Sequence, residues 1–151
     1  MNSEQKLDRQ DCMLNGCLFF STTKLARELG KLADEAFSKT GLSPSHAVLL
    51  YMVNLKGKIQ QKEIGELLHL TPSTITRLID KLERKGYVKK LSEGKNVCLQ
   101  ATSEGIAQQE QIIASWNRLH DGYKDILTEE ETIHLLEISG KLLRKLTDKS
   151  E

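Results

Sequence analysis

Thr71-Pro72-Ser73-Thr74-Ile75-Thr76-Arg77-Leu78-Ile79-Asp80-Lys81-Leu82-Glu83-Arg84-Lys85-Gly86 is the stretch on which the fold turns. Thr71 is a good N-cap, Pro72 suits the first helical position and Gly86 closes the helix. Ile75, Leu78, Ile79 and Leu82 recur at three- and four-residue steps, which makes one apolar face. Ser73, Thr74, Thr76, Arg77, Asp80, Lys81 and Arg84 then face outward, with small hydroxyls in the first turn and cations further along.

Upstream, a short helix from about Gln61 carries Ile64, Leu67 and Leu68 and stops around His69-Leu70. Before it, Ser43-Pro44 repeats the grammar of N-cap then proline and opens a helix with Ala47, Leu50, Tyr51 and Leu55 that ends near Gly57. The apolar recurrence of Leu14, Leu18, Leu25, Leu29, Leu32, Ala36 and Phe37 predicts one long first helix from about Asp11 to Lys39, capped by Gly41.

Downstream of Gly86 the period changes. Tyr87 to Leu91 and Asn96 to Gln100 are short β-prone segments around Ser92-Glu93-Gly94-Lys95, the pattern of a β-hairpin. From Ser103, Ile106, Ile112, Ile113, Trp116, Leu119 and Tyr123 mark a long helix. Thr128-Glu129-Glu130-Glu131 opens a last one with a capping box, and Ile133, Leu136, Leu143 and Leu146 are expected to face inward. The fold class is therefore mainly α with a small β-hairpin wing: a winged helix-turn-helix at 41–102, flanked by long terminal helices at 1–40 and 103–151. Those helices have broad apolar faces that a lone chain struggles to cover. A two-fold homodimer would bury them, so the terminal segments are expected to form a helical dimerisation region.

The 151 residues carry 22 Lys+Arg against 21 Asp+Glu, a formal net charge of +1. Overall neutrality gives no hint of a polyanionic partner, but the distribution does. Between Lys58 and Lys95 there are nine bases and five acids, a net +4; the rest of the chain has 13 bases and 16 acids, a net −3. No apolar run approaches the roughly 18 residues of a membrane span, and the first ten residues lack a secretory pattern, so a cytoplasmic protein without membrane contact is expected. Cys12, Cys17 and Cys98 lack metal-ligand spacing, the four histidines are scattered, and no nucleotide-binding or nucleophile-elbow motif occurs. No metal, cofactor or enzymatic activity is predicted.

Paired short helices followed by a cationic hairpin suit double-stranded DNA. The second helix of a helix-turn-helix enters the major groove N-terminus first, where short side chains allow close approach. Arg77 has the geometry for guanine O6/N7, whereas Lys81 and Arg84 suit phosphates. Thr71, Pro72, Ser73, Thr74, Thr76, Arg77, Lys81, Arg84 and, on the wing, Lys95 are the expected DNA contacts. The plainer account of the hydroxyls is capping and a solvated face, and that of Lys81, Arg84 and Lys85 is a charged surface paired locally with Asp80 and Glu83. A winged helix serving as a protein-interaction module is the rival reading. It would need a more apolar outer face and no cations at Arg77, Lys81 and Arg84.

The chain resembles the MarR family of transcriptional regulators along nearly its whole length. The resemblance rests on Gly41-Leu42-Ser43-Pro44, on Ile64-Gly65-Glu66-Leu67-Leu68, on the run from Thr71 to Val88, and on Leu99-Gln100-Ala101-Thr102-Ser103-Glu104-Gly105. It implies a homodimer with interlocked terminal helices, which represses genes from a palindromic operator and lets go on meeting a small-molecule effector or an oxidant. The family's wing commonly carries an arginine for the minor groove. Here the turn has none, and Lys95 is the sole replacement. Some relatives sense peroxide through a cysteine near the start of the first helix, which makes Cys12 and Cys17 the candidate redox sensors. His46, Tyr51, Trp116 and Tyr123 are the candidate polar tips of an effector crevice, with packing as their plainer role.

Overall fold

A computed structural model describes residues 15–148. Helix α1 (Leu18–Phe37) passes into a 3-10 turn, Ser38–Thr40, which ends on Gly41 in the left-handed region at φ +68°. Helix α2 (Pro44–Lys56) starts where expected, with the Ser43 hydroxyl accepting the His46 N–H. Strand β1 (Lys58–Gln60), helix α3 (Gln61–Leu68) and helix α4 (Pro72–Arg84) follow, then strands β2 (Val88–Glu93) and β3 (Asn96–Ala101). The chain ends in α5 (Ser103–Ala107), α6 (Gln109–Asp121) and α7 (Glu129–Thr147), the last opened by the Thr128–Glu131 capping box. This is a mainly helical winged helix, as the sequence predicts.

Four local expectations need correction. Helix α1 is not continuous upstream of Leu18; Asn15-Gly16, two turn formers, precede it, the Asn15 carbonyl accepts the Ser21 hydroxyl at 3.0 Å, and the expected stretch from Asp11 to Leu14 lies outside the described residues. The hairpin is part of a three-stranded antiparallel sheet of order β1-β3-β2, because Lys58–Gln60 pairs with β3 in the register Ile59↔Leu99. Three residues are too few to show a period.

The helix after Ser103 is broken at Gln108. The Asn54 amide of α2 donates to the Gly105 carbonyl at 3.1 Å and to Gln109 Oε1 at 2.7 Å. Gly105 O is thus drawn out of the regular ladder and takes the Gln108 N–H instead, a tightened 3-10 step. Finally, Ile133, Leu136, Leu143 and Leu146 are exposed; no residue of α7 is buried in the single chain. Their apolar face is there, but nothing in one chain covers it.

The core sits in the middle of the sequence. Leu49, Leu50 and Val53 of α2, Ile64 of α3, Ile75, Ile79 and Leu82 of α4, and Ile59, Val88 and Leu99 of the sheet are all buried together, with Phe37 and Ile112 closing it from the flanking helices. The joint to α5 is tight. Thr102 donates its hydroxyl to the Gly86 carbonyl at 2.5 Å and its N–H to the Tyr87 carbonyl at 3.0 Å. A Cβ on Gly105 would lie 2.0 Å from that same Tyr87 oxygen, so only glycine fits there.

Candidate nucleic-acid interface

Helix α4 is held from one side and presents the other. Ile75, Leu78, Ile79 and Leu82 are buried, as the periodicity predicts. The turn before it is made by His69, which ends α3 at φ +52°, a left-handed conformation that histidine tolerates better than most side chains. Thr71 caps α4: its Oγ1 accepts the Thr74 N–H at 3.4 Å and lies 2.9 Å from the Thr74 hydroxyl and 3.3 Å from that of Ser73. The first turn is therefore a cluster of hydroxyls on a helix N-terminus, where unpaired N–H groups and the dipole favour an anion.

Pro72, Ser73, Thr76, Arg77 and Arg84 are exposed, whereas Thr74 and Lys81 are half-buried. Lys81 and Lys85 are near enough to α2 for their charges to act on His46. Burial first, then these two charges, push the His46 imidazole below its ordinary value.

The charges sort themselves in a way the sequence does not show. Asp80 and Glu83 are not partners of Lys81, Arg84 and Lys85. Lys90 of β2 takes both, at 2.6 Å from Asp80 and 3.7 Å from Glu83, and its backbone N–H donates to Glu83 at 3.3 Å. The Asp80 hydrogen bond holds the Lys90 ammonium above its ordinary value, with Glu83 adding to it. Lys58 pairs with Glu93 across the sheet, and Lys56 with Glu63. Four of the five acids between Lys58 and Lys95 are thereby engaged. Among the described residues, no ion pair or hydrogen bond engages the side chains of Arg77, Lys81, Arg84, Lys85 or Lys95. Lys90 is not a free wing cation but a tie between the wing and α4.

The wing is short. Gly94, at φ +61°, and Lys95 form a two-residue turn between β2 and β3, which leaves Lys95 exposed at the tip. Cys17 is half-buried at the N-cap of α1, and Cys12 lies outside the described residues. Among the described residues, no cluster of His, Cys, Asp or Glu is arranged to hold a metal ion, and no helix is long and apolar enough to cross a membrane.

Of the four candidate effector residues, two meet. Tyr51 and Trp116 have ring centroids 5.5 Å apart and line a cavity of about 270 Å³ with Ile113 and Asn117. Neither His46 nor Tyr123 lines it: His46 Nδ1 is 2.5 Å from the Ser43 hydroxyl, and Tyr123 packs on His120.

Sequence reasoning also missed Gln61. Its amide donates to the Thr76 hydroxyl at 3.1 Å across the helix-turn-helix. A polar residue at the start of α3 was its only trace in the sequence.

The model of the MarR family matches residues 42–95. The transcriptional repressor MdtR of Bacillus subtilis is 29% identical over 111 residues, 72% of each chain. A mutant MarR from E. coli complexed with operator DNA superposes with a TM-score of 0.78 at 22% identity, covering 90% of this chain and 99% of that one. CouR from Rhodococcus jostii, bound to p-coumaroyl-CoA, gives a TM-score of 0.75 at 19% identity over 91% and 97%. At these identities the two structures speak for the fold alone.

Proposed function

Given that this chain belongs to the MarR family of DNA-binding transcriptional regulators, and not to a family of enzymes, we propose that it is a homodimeric, cytoplasmic repressor of a palindromic operator, released by a small molecule or an oxidant. In this reading, residues 41–102 are the reading head, and residues 1–40 and 103–151 join the two copies. Thr71, Pro72, Ser73 and Thr74 meet the backbone at the mouth of the groove. Thr76 and Arg77 reach base edges, while Lys81, Arg84 and the wing's Lys95 hold phosphates.

The observation that carries the reading is the division of charge. Lys90 neutralises the acids on α4, while Arg77 and Arg84 on the same helix are exposed and unpaired among the described residues. An exposed face of hydroxyls and cations suits phosphates and base edges; a protein partner would favour an apolar one. The apolar faces of α1, α6 and α7 are what a second copy would cover. The Tyr51–Trp116 cavity, beside both the head and α6, is where an effector would act on their relative placement. Cys17, and Cys12 before it, are the groups through which an oxidant would act.

The test uses a duplex enriched from a random pool. At fixed salt, Arg77→Ala should weaken binding to that duplex by about 1–3 kcal/mol and relax one base position, with the assembly unchanged. Log affinity of the wild type should fall steeply with log salt as counterions are released. A flat salt dependence, or an Arg77→Ala chain with undiminished affinity and base preference, refutes the assignment.

A further inference from the structure

Gln61 has no role so far, yet its position is tightly determined. It is the first residue of α3, directly after Gln60, which pairs with Cys98 in the sheet and is extended (φ −72°, ψ 140°). From there its amide reaches the recognition helix and donates to Thr76 Oγ1 at 3.1 Å. The Thr76 hydroxyl in turn donates to the Pro72 carbonyl, one helical turn back, at 2.9 Å. A hydroxyl has one hydrogen and two lone pairs. Here the hydrogen is committed to Pro72 and one lone pair to Gln61. What the exposed Thr76 can still offer is a single lone pair.

We propose that Gln61 is a specificity-setting positioning residue, which fixes the Thr76 hydroxyl as an acceptor-only reader of a base bearing an amino group. In the major groove those bases are adenine, through N6, and cytosine, through N4; guanine O6 and thymine O4 would set lone pair against lone pair. Without Gln61 the Thr76 oxygen loses the contact that holds it over the Pro72 carbonyl; the hydroxyl can then leave that carbonyl to donate to an oxygen or accept from an amino group, and discrimination is lost even though Thr76 remains. The inference rests on α4 being the DNA-reading helix, and it assigns to α3 a part in sequence choice that goes beyond holding phosphates.

The test compares the full-length wild type with Gln61→Met and Thr76→Val. Each is enriched against a random-sequence duplex pool, then titrated with single-base variants of the wild-type site. Methionine keeps the length of the stem and removes the donor. If it compromises folding, Gln61→Ala serves instead, since it suits a helix and offers Thr76 neither a donor nor an acceptor. The wild type should favour an amino-bearing base by about tenfold at one position of each half-site, the scale of a single buried hydrogen bond. Both variants should lose that preference at the same position and keep the others. The double variant should lose no more than either alone.

A Gln61 variant that keeps the wild-type pattern overturns the proposal. So does one that changes a different position, or one that binds every sequence more weakly with a shallower salt slope, which would make Gln61 a phosphate contact. If the wild type itself enriches no motif, the DNA-reading function falls and this inference with it.

Discussion

All four apolar residues of α4, Ile75, Leu78, Ile79 and Leu82, are buried; of the seven on α7, Ile133, Leu135, Leu136, Ile138, Leu142, Leu143 and Leu146, none is. Both helices are amphipathic, and both start with a threonine cap. They differ in what lies opposite them. Helix α4 has α2, α3 and the sheet within the same chain, so its apolar stripe leaves water on folding. Helix α7 has no such cover, and Leu136 and Leu146 remain 67% and 66% exposed. Seven exposed apolar side chains on one helix are what an interaction site presents. The head draws its stability from itself, whereas the terminal helices, in the dimer proposed above, draw theirs from a second copy and so depend on concentration.

The sharpest way to break that comparison is to charge the exposed stripe. Leu136→Asp with Leu143→Asp removes two leucines from each chain, four from a two-fold assembly. At about 1.5–3 kcal/mol for each buried leucine, the pair costs the assembly about 6 kcal/mol or more. Sedimentation should show the wild type at twice the chain mass at micromolar concentration and the variant at the chain mass. A wild type that sediments as a single chain would show that α7 has some other cover. Next in size is a truncation in the head. Ile79→Ala leaves a cavity under the recognition helix and should lower stability by about 2–5 kcal/mol. Measured by urea unfolding, that loss should be the same at low and high protein concentration, unlike the first.

The same contrast explains what could be read from the residues alone. Three helix starts with a local cap were legible: Ser43-Pro44, Thr71-Pro72 and the Thr128 box lie within three residues of the groups they satisfy. The outward face of α4 was legible too, because it is the complement of a clear apolar period. What escaped depends on partners far along the chain. Strand β1 exists because Ile59 finds Leu99, and the break at Gln108 exists because Asn54 draws off the Gly105 carbonyl. Lys90 gives no sign in the sequence of its tie to α4, because nothing in its neighbourhood points ten residues back to Asp80. Gln61 was invisible for the same reason: its partner Thr76 is fifteen residues away.

The Lys90 tie offers a smaller perturbation within the head. Its side chain is about one-third exposed, so Lys90→Met should cost only about 0–1 kcal/mol of stability, as partly exposed ion pairs do. Its effect on DNA should be plainer, because Asp80 and Glu83 would then face phosphates unneutralised. Adding Asp80→Asn should restore part of the affinity. Lys89→Met, one residue away on the opposite face of β2, removes the same charge without releasing either carboxylate. Equal losses of affinity from Lys89→Met and Lys90→Met in an anisotropy titration would mean that Lys90 acts as a bare cation and the tie has no role.

The smallest effect is one of pH, and it too belongs to the head. His46 lies under α4, where burial and the charges of Lys81 and Lys85 hold its imidazole below the ordinary 6.5. Between the lowered value and 6.5, the unfolded chain binds more protons at this site than the folded one, so stability rises with pH there. Its contribution is fully present above about pH 6.5 and is lost as the pH falls toward the folded value. Acid should therefore loosen the packing of α2 against the recognition helix. Urea midpoints at pH 7.5 and 5.5 should differ more for the wild type than for His46→Gln, which cannot titrate. Carboxylates and the other histidines contribute equally to both chains and drop out of the comparison. An identical pH dependence in the two would mean that the imidazole is neither buried nor faced by the two lysines in solution, and that α2 does not pack against the recognition helix at this point.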